Sequence, residues 1–158
     1  MEFDICEILD EDEKSRICDD VLHALPNWFG VESSIVDYTQ KVRTQPFYAA
    51  LHNGRGVGFV AIQVHNAYTA EVLVMGIQPE YHRHGMGKQL IECCKVYCVA
   101  NGHEFLTVKT LDASSGSKSY EKTRSFYQSM GFKPLQVFPL YWDAENPCLF
   151  LLLTITKP

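Results

Sequence analysis

Two glycines one residue apart, Gly85 and Gly87, stand where a strand pattern gives way to a helical one. Upstream, Ala70 to Ile77 is apolar and β-branched until Pro79 ends it; downstream, a helix opens at Gly85-Met86-Gly87 and runs to about Ala100. A helix start offers unpaired N–H groups and the positive end of the peptide dipole, a combination that suits a phosphate. Glycine lets backbone come close to a ligand without a Cβ in the way, and Arg83 and Lys88 add positive charge beside it. Spacing excludes two nucleotide loops. A P-loop needs glycine where His82 stands and Ser or Thr where Gln89 stands, and a dinucleotide fingerprint needs a third glycine where Leu90 stands. A bare chain turn is the alternative reading of the glycine pair.

The rest of the chain extends this junction into a mixed sheet. Residues 2–9 alternate as an edge strand, and Asp10 to Leu25 carries an acidic opening turn and an apolar stripe, with Pro26 as its stop. Ser33 to Val42 reads as a second helix. Phe47 to His52 and Gly56 to His65 read as strands joined at Asn53-Gly54, a strong hairpin signal. A strand from Phe105 to Thr110 precedes a polar loop, Leu111 to Ser119, and a helix from Tyr120 to Met130 closed by Gly131. Two strands, Phe132 to Phe138 and Cys148 to Thr156, end the chain with a loop over 141–147 between them. The order βααβββαβαββ predicts one α+β domain over 1–158, a mostly antiparallel twisted sheet of about seven strands flanked by about four helices.

Composition narrows the class. The chain has 158 residues, 46% of them hydrophobic, enough for an ordinary core. A net charge of −5 disfavours phosphate backbones, so nucleic acid is not expected as a partner. Six cysteines show neither a Cys-x-x-Cys pair nor zinc spacing, and no metal is expected. The start, Met1-Glu2-Phe3-Asp4, lacks signal-peptide character and no apolar run nears the ~20 residues of a membrane helix, so the expected setting is cytoplasmic, without a membrane. His52, His65 and His103, at strand ends, are expected to face solvent.

The loop His82-Arg83-His84-Gly85-Met86-Gly87 resembles the pyrophosphate-binding Gln/Arg-x-x-Gly-x-Gly/Ala loop of the GNAT superfamily of acyl-CoA-dependent N-acyltransferases. The likeness continues upstream along Ala70-Glu71 to Ile77 and downstream to Phe126-Tyr127 through Gly131-Phe132, similar to the family's late Phe-Tyr-x-x-x-Gly-Phe helix. Two positions depart from the family pattern: His82 replaces the usual Gln or Arg, and Tyr120 stands where Asn is common.

The resemblance implies acetyl-CoA as co-substrate, held by His82, Arg83, His84, Gly85, Met86, Gly87, Lys88 and Tyr120, with the thioester along Met75, Gly76 and Ile77. Acyl transfer to an amine must remove a proton from an ammonium of reference pKa near ~10.4, stabilise a carbonyl oxyanion and release a thiolate. The family likeness makes Tyr127 the acid for the thiolate and Glu71 the base, directly or through water; His65 and the Asp143/Glu145 pair are further candidates for the base. It also assigns the acceptor pocket to two segments, holding Trp28, Phe29 and Glu32 and Tyr141, Trp142 and Asp143, whose aromatic faces and carboxylates suit an organic cation, either a small-molecule amine or a peptide. A homodimer through the terminal strands is compatible with the family. The other readings are a non-catalytic acyl-CoA-binding module and a ligand-free interaction domain.

Overall fold

The computed structural model describes residues 1–156. Its elements follow in the order β1 (Asp4–Glu7), α1 (Glu11–His23), α2 (Glu32–Lys41), β2 (Phe47–His52), β3 (Arg55–Val64), β4 (Thr69–Ile77), α3 (Met86–Asn101), β5 (Phe105–Leu111), α4 (Lys118–Ser129), β6 (Lys133–Asp143) and β7 (Asn146–Thr154). This is the expected succession, with short 3-10 turns at Val42–Thr44, Pro79–Tyr81 and Ala113–Ser115. The strands lie in the order β1-β2-β3-β4-β5-β7-β6 in a seven-stranded sheet. Packing divides the chain into two compact units, Met1–Gln63 with Val72–Cys94, and Val64–Glu71 with the chain from Lys95 onward.

In the first unit, Lys14, Ile17, Cys18, Val21 and Leu22 form the buried stripe of α1 at helical spacing. Asp10 caps the helix, accepting a hydrogen bond from the Glu13 N–H at 2.9 Å, and Glu11, Asp12 and Glu13 occupy the positive end of its dipole. The buried Lys14 is satisfied by donating to the Gln45 carbonyl at 2.7 Å. Fully buried Val21 and Leu22 each contribute about 1.5–3 kcal/mol. They pack with Leu25, Ile35, Val42, Phe47, Phe59 and Val74 in one cluster. The β2–β3 hairpin turns at Asn53 (φ 52°) and Gly54 (φ 77°), where successive left-handed residues match the strand twist.

In the second unit, β7 pairs antiparallel with β5 from Phe105↔Thr154 to Leu111↔Cys148, and with β6 on its other edge. The expected loop over 141–147 is instead a hairpin. Tyr141 to Asp143 continue β6, and the Asp143 Oδ1 accepts from the N–H groups of Glu145 and Asn146 at 2.9 and 3.0 Å, closing the turn. The register between Phe138↔Cys148 and Asp143↔Asn146 slips, so β6 bulges around Pro139. The expected loop over 111–119 is shorter than predicted, because Ser117 caps α4 two residues earlier by accepting from the Tyr120 N–H at 3.3 Å.

Helix α4 ends in a Schellman motif: Gly131 (φ 101°) donates to the Gln128 carbonyl at 3.0 Å and Phe132 donates to Tyr127 at 3.1 Å. The end of α3 repeats it, with Gly102 (φ 76°) donating to Val99 and His103 to Cys98. That geometry draws His103 inward, 5% exposed and stacked on Tyr97, contrary to the expected solvent position. The cysteines are free thiols, and burial pushes Cys18 up to about 12 and Cys98 to about 11. Among the described residues no helix is long and apolar enough to cross a membrane.

Candidate active site

The glycine junction lies wholly in the first unit. Beyond β4 the chain passes through the Pro79–Tyr81 turn into an exposed run, His82 to Gly85. Arg83 (φ 65°) and Gly85 (φ 85°) both take left-handed backbone, and only the second is glycine. A Cβ at Gly85 would meet nothing within 4 Å, so this glycine answers to its backbone angle and faces open space. Met86, 1% exposed, anchors the helix start in the core. The first intrahelical bond runs from the Gln89 N–H to the Gly85 carbonyl at 3.1 Å, so residues 86–88 carry the unpaired donors of a helix N-terminus. The first turn of α3 holds no acidic residue, unlike that of α1, and Lys88 is exposed beside it.

The His82 side chain is engaged within its own unit. Its Nε2 donates to the Ile77 carbonyl at 2.6 Å, and its ring meets Trp28 edge-on at 6.1 Å. The imidazole thereby ties the loop to the end of β4. Gly76 has an internal reason too: a Cβ there would lie 3.0 Å from Val21 Cγ1 and from Leu25 Cδ1, so the glycine admits α1. Its neighbours Met75 and Ile77 are half-buried. Phe29 packs edge-on to Tyr38, and Glu32 pairs with His23 at 2.7 Å.

The second unit holds a separate polar cluster. Glu71, 5% exposed, is engaged at both oxygens: Oε1 lies 2.6 Å from His65 Nε2, and Oε2 accepts from Lys109 Nζ at 2.8 Å. Lys109 Nζ also sits 5.3 Å from the ring centroids of Tyr141 and Phe150. His65 is placed by a built turn. Its N–H donates to the Thr69 carbonyl at 3.0 Å, and the Asn66 side chain accepts from the Tyr68 and Thr69 N–H groups. Tyr127 lies in the same unit, 7% exposed, against Phe126 and Phe132. Its ring contact with Phe132 is the hydrophobic closure of the Schellman motif. Tyr120 is half-buried in the first turn of α4. Arg124 donates to the Leu111 carbonyl at 2.7 Å, and hydrogen bonds from Ser114 hold the Asp112 carboxyl below its usual range.

A family profile for the acetyltransferase (GNAT) domain matches residues 43–134, more than half of the chain. The chain belongs to the GNAT acetyltransferase family. Solved structures agree in fold. A GNAT-family protein from Desulfovibrio desulfuricans superposes with a TM-score of 0.84 at 16% identity, covering 98% of this chain and 100% of the other. An aminoglycoside 6'-N-acetyltransferase complexed with coenzyme A gives 0.75 at 15% identity, covering 98% of each chain. The ribosomal-protein-S18-alanine N-acetyltransferase of Escherichia coli gives 0.75 at 16% identity, covering 99% and 96%. No curated protein sequence matches significantly.

In this GNAT domain the residues named from sequence fall into two sets. The loop 82–88, Met75 to Ile77, Trp28, Phe29 and Glu32 belong to the first unit; Glu71, Tyr120, Tyr127, Tyr141, Trp142 and Asp143 belong to the second. Asp143 is consumed in its hairpin turn and Glu32 in its pair with His23, while Tyr141 receives a cation from the chain itself, Lys109. Lys109 was missed. A lysine in the middle of the strand Phe105-Leu-Thr-Val-Lys-Thr-Leu111 was the available signal, since a charge amid buried strand residues requires a partner.

Proposed function

We propose that this GNAT domain, acting as one functional domain, transfers an acetyl group from acetyl-CoA to a primary amine of a small molecule or peptide, by direct attack in a ternary complex. The observation that carries the reading is the left-handed turn at Arg83 and Gly85 feeding the α3 N-terminus, open to solvent and free of acidic residues in its first turn. The donors of residues 86–88, with the charges of Arg83 and Lys88 and the nearby His84, fit a diphosphate. His82 contributes by holding the loop to Ile77. The thioester then runs along Met75 to Ile77, where strand N–H groups meet the carbonyl oxygen as it becomes negative. Tyr120 is assigned to the cofactor side of α4.

Chemically, the amine nitrogen forms a bond to the thioester carbon and the carbon–sulfur bond breaks. One ammonium proton goes to a base near Glu71 before attack, Tyr127 supplies the proton that converts the departing thiolate to thiol, and the second proton, lost by the attacking nitrogen as the amide forms, passes through solvent to restore Tyr127. The neighbours with amine acceptors named above, an aminoglycoside enzyme and a ribosomal-protein alanine enzyme, support an amine as acceptor. Trp28, Phe29, Tyr141 and Trp142 are proposed to face it. We place the protein in the cytoplasm, where its thiols stay reduced.

The test is thiol release from acetyl-CoA with spermidine, an aminoglycoside, lysine and an alanine-initiated peptide, alongside calorimetry with coenzyme A. Binding with turnover of at least one amine is expected. Tyr127→Phe should keep coenzyme A affinity within about twofold and lower turnover by about 10²-fold. Binding without any turnover would instead support an acyl-CoA-binding module, and no binding would end the reading.

A further inference from the structure

We infer that His65, and not Glu71, is the group that takes the proton from the acceptor amine, with Glu71 and Lys109 as positioning residues that set its tautomer and orientation. This rests on the acetyl-transfer reading above. The carboxylate is poorly suited to the task itself. Only 7% of its side chain is exposed, and each oxygen already accepts a short hydrogen bond. Protonating it would strand the Lys109 ammonium, itself 21% exposed, without its counter-charge.

The histidine is suited. Because Lys109 holds Oε2, Oε1 faces Nε2 as an acceptor, and Nε2 must bring the hydrogen at 2.6 Å. The lone pair is thereby assigned to Nδ1. The side chain is 38% exposed, so a substrate and then water can reach it. Its backbone is held by the Asn66 turn, and the bond to Oε1 holds the ring against the carboxylate. In the step, the R–NH3⁺ proton moves to Nδ1 and the neutral amine attacks. The imidazolium that results is stabilised through Nε2–H by Glu71, then returns its proton to solvent. Among the described residues, the charged or titratable groups that face the ring and its partner are Glu71, Lys109, Tyr141 beside Lys109, and the buried Cys148 thiol, which Glu71 and Lys109 both influence.

The experiment uses the full chain, with whichever of the four acceptors above releases thiol fastest. For the unaltered protein, kcat/KM should fall on the acid side with a single protonation. His65→Gln should lose at least about 10²-fold in kcat/KM with coenzyme A affinity unchanged, and its acid limb should vanish. Glu71→Gln should retain more activity than His65→Gln, because the Gln carbonyl can still accept from Nε2–H, and its loss should fall on kcat with coenzyme A affinity and acceptor KM unchanged. A purely structural Glu71 would lower the melting temperature and leave kcat of the folded protein in place, and a Glu71→Gln loss as deep as that of His65→Gln would make the carboxylate the base. Should His65→Gln fold poorly by thermal melt, His65→Asn is the second variant, and the Glu71→Gln fall in kcat decides independently. Retention of rate within twofold and of the limb in a folded His65 variant overturns the assignment. Failure of the unaltered protein to bind coenzyme A, or to turn over any acceptor, instead overturns the underlying reading, and this one with it.

Discussion

Replacing Lys109 with Met removes the ammonium from Glu71 and keeps an unbranched stem beneath the rings of Tyr141 and Phe150. Deleting one partner of a buried ion pair costs 3–5 kcal/mol as an order of magnitude. Two features reduce that here: Lys109 is 21% exposed, and His65 still bonds the other carboxylate oxygen. The expected loss is therefore about 2–3 kcal/mol, or a fall in Tm of about 4–12 °C for a chain of this size. Denaturant unfolding of the wild type, Lys109→Met, Glu71→Gln and the double variant forms a cycle. The double variant buries no lone charge at this pair, so its loss should be smaller than the sum of the single losses by about 1–3 kcal/mol. Additivity within about 0.5 kcal/mol would show that the pair is not coupled and refute the reasoning.

Two further outcomes test other parts of the fold. Gly76→Ala pushes a Cβ to 3.0 Å from the side-chain methyls of Val21 and Leu25, which must give by a few tenths of an ångström, and denaturant unfolding should show a loss of about 1–3 kcal/mol. His23 is raised from its ordinary value by the hydrogen bonds its ring donates to the Glu32 carboxylate and the Asp19 carbonyl, so its contribution is full below an unfolded value of about 6.5 and is lost as pH rises through the folded value. With this half-exposed side chain, the wild-type advantage over His23→Gln in denaturant midpoints should be a few tenths of a kcal/mol at pH 6 and should shrink steadily as pH is raised above neutrality.

Much of the scaffold was legible because its signals are local. Asp10 with three acidic residues marks the start of α1, and Asn53-Gly54 marks a turn that needs two left-handed residues. The Phe-Tyr-x-x-x-Gly-Phe segment proves to be a helix terminus written in sequence: Gly131 takes the left-handed angle, and Phe132 closes on Tyr127. What escaped depends on distance along the chain. Glu71 and Lys109 are 38 positions apart, and only strand pairing reveals them as an ion pair. That Val21 and Leu25 lie against Gly76 was equally hidden, because sequence does not show which helix covers a strand. Tyr141 to Asp143 looked like loop because Pro139 and the polar run Asp143 to Asn146 resemble an interruption, whereas a bulge absorbs the proline and Asp143 caps a tight hairpin. His103 looked exposed because its burial comes from the helix terminus before it, not from its own strand.

The most direct measurement is a crystal structure with coenzyme A bound. The diphosphate oxygens should lie about 3 Å from the backbone nitrogens of residues 86–88, with the pantetheine chain beside Met75 to Ile77. A diphosphate bound elsewhere, with those nitrogens facing only water, would contradict the account.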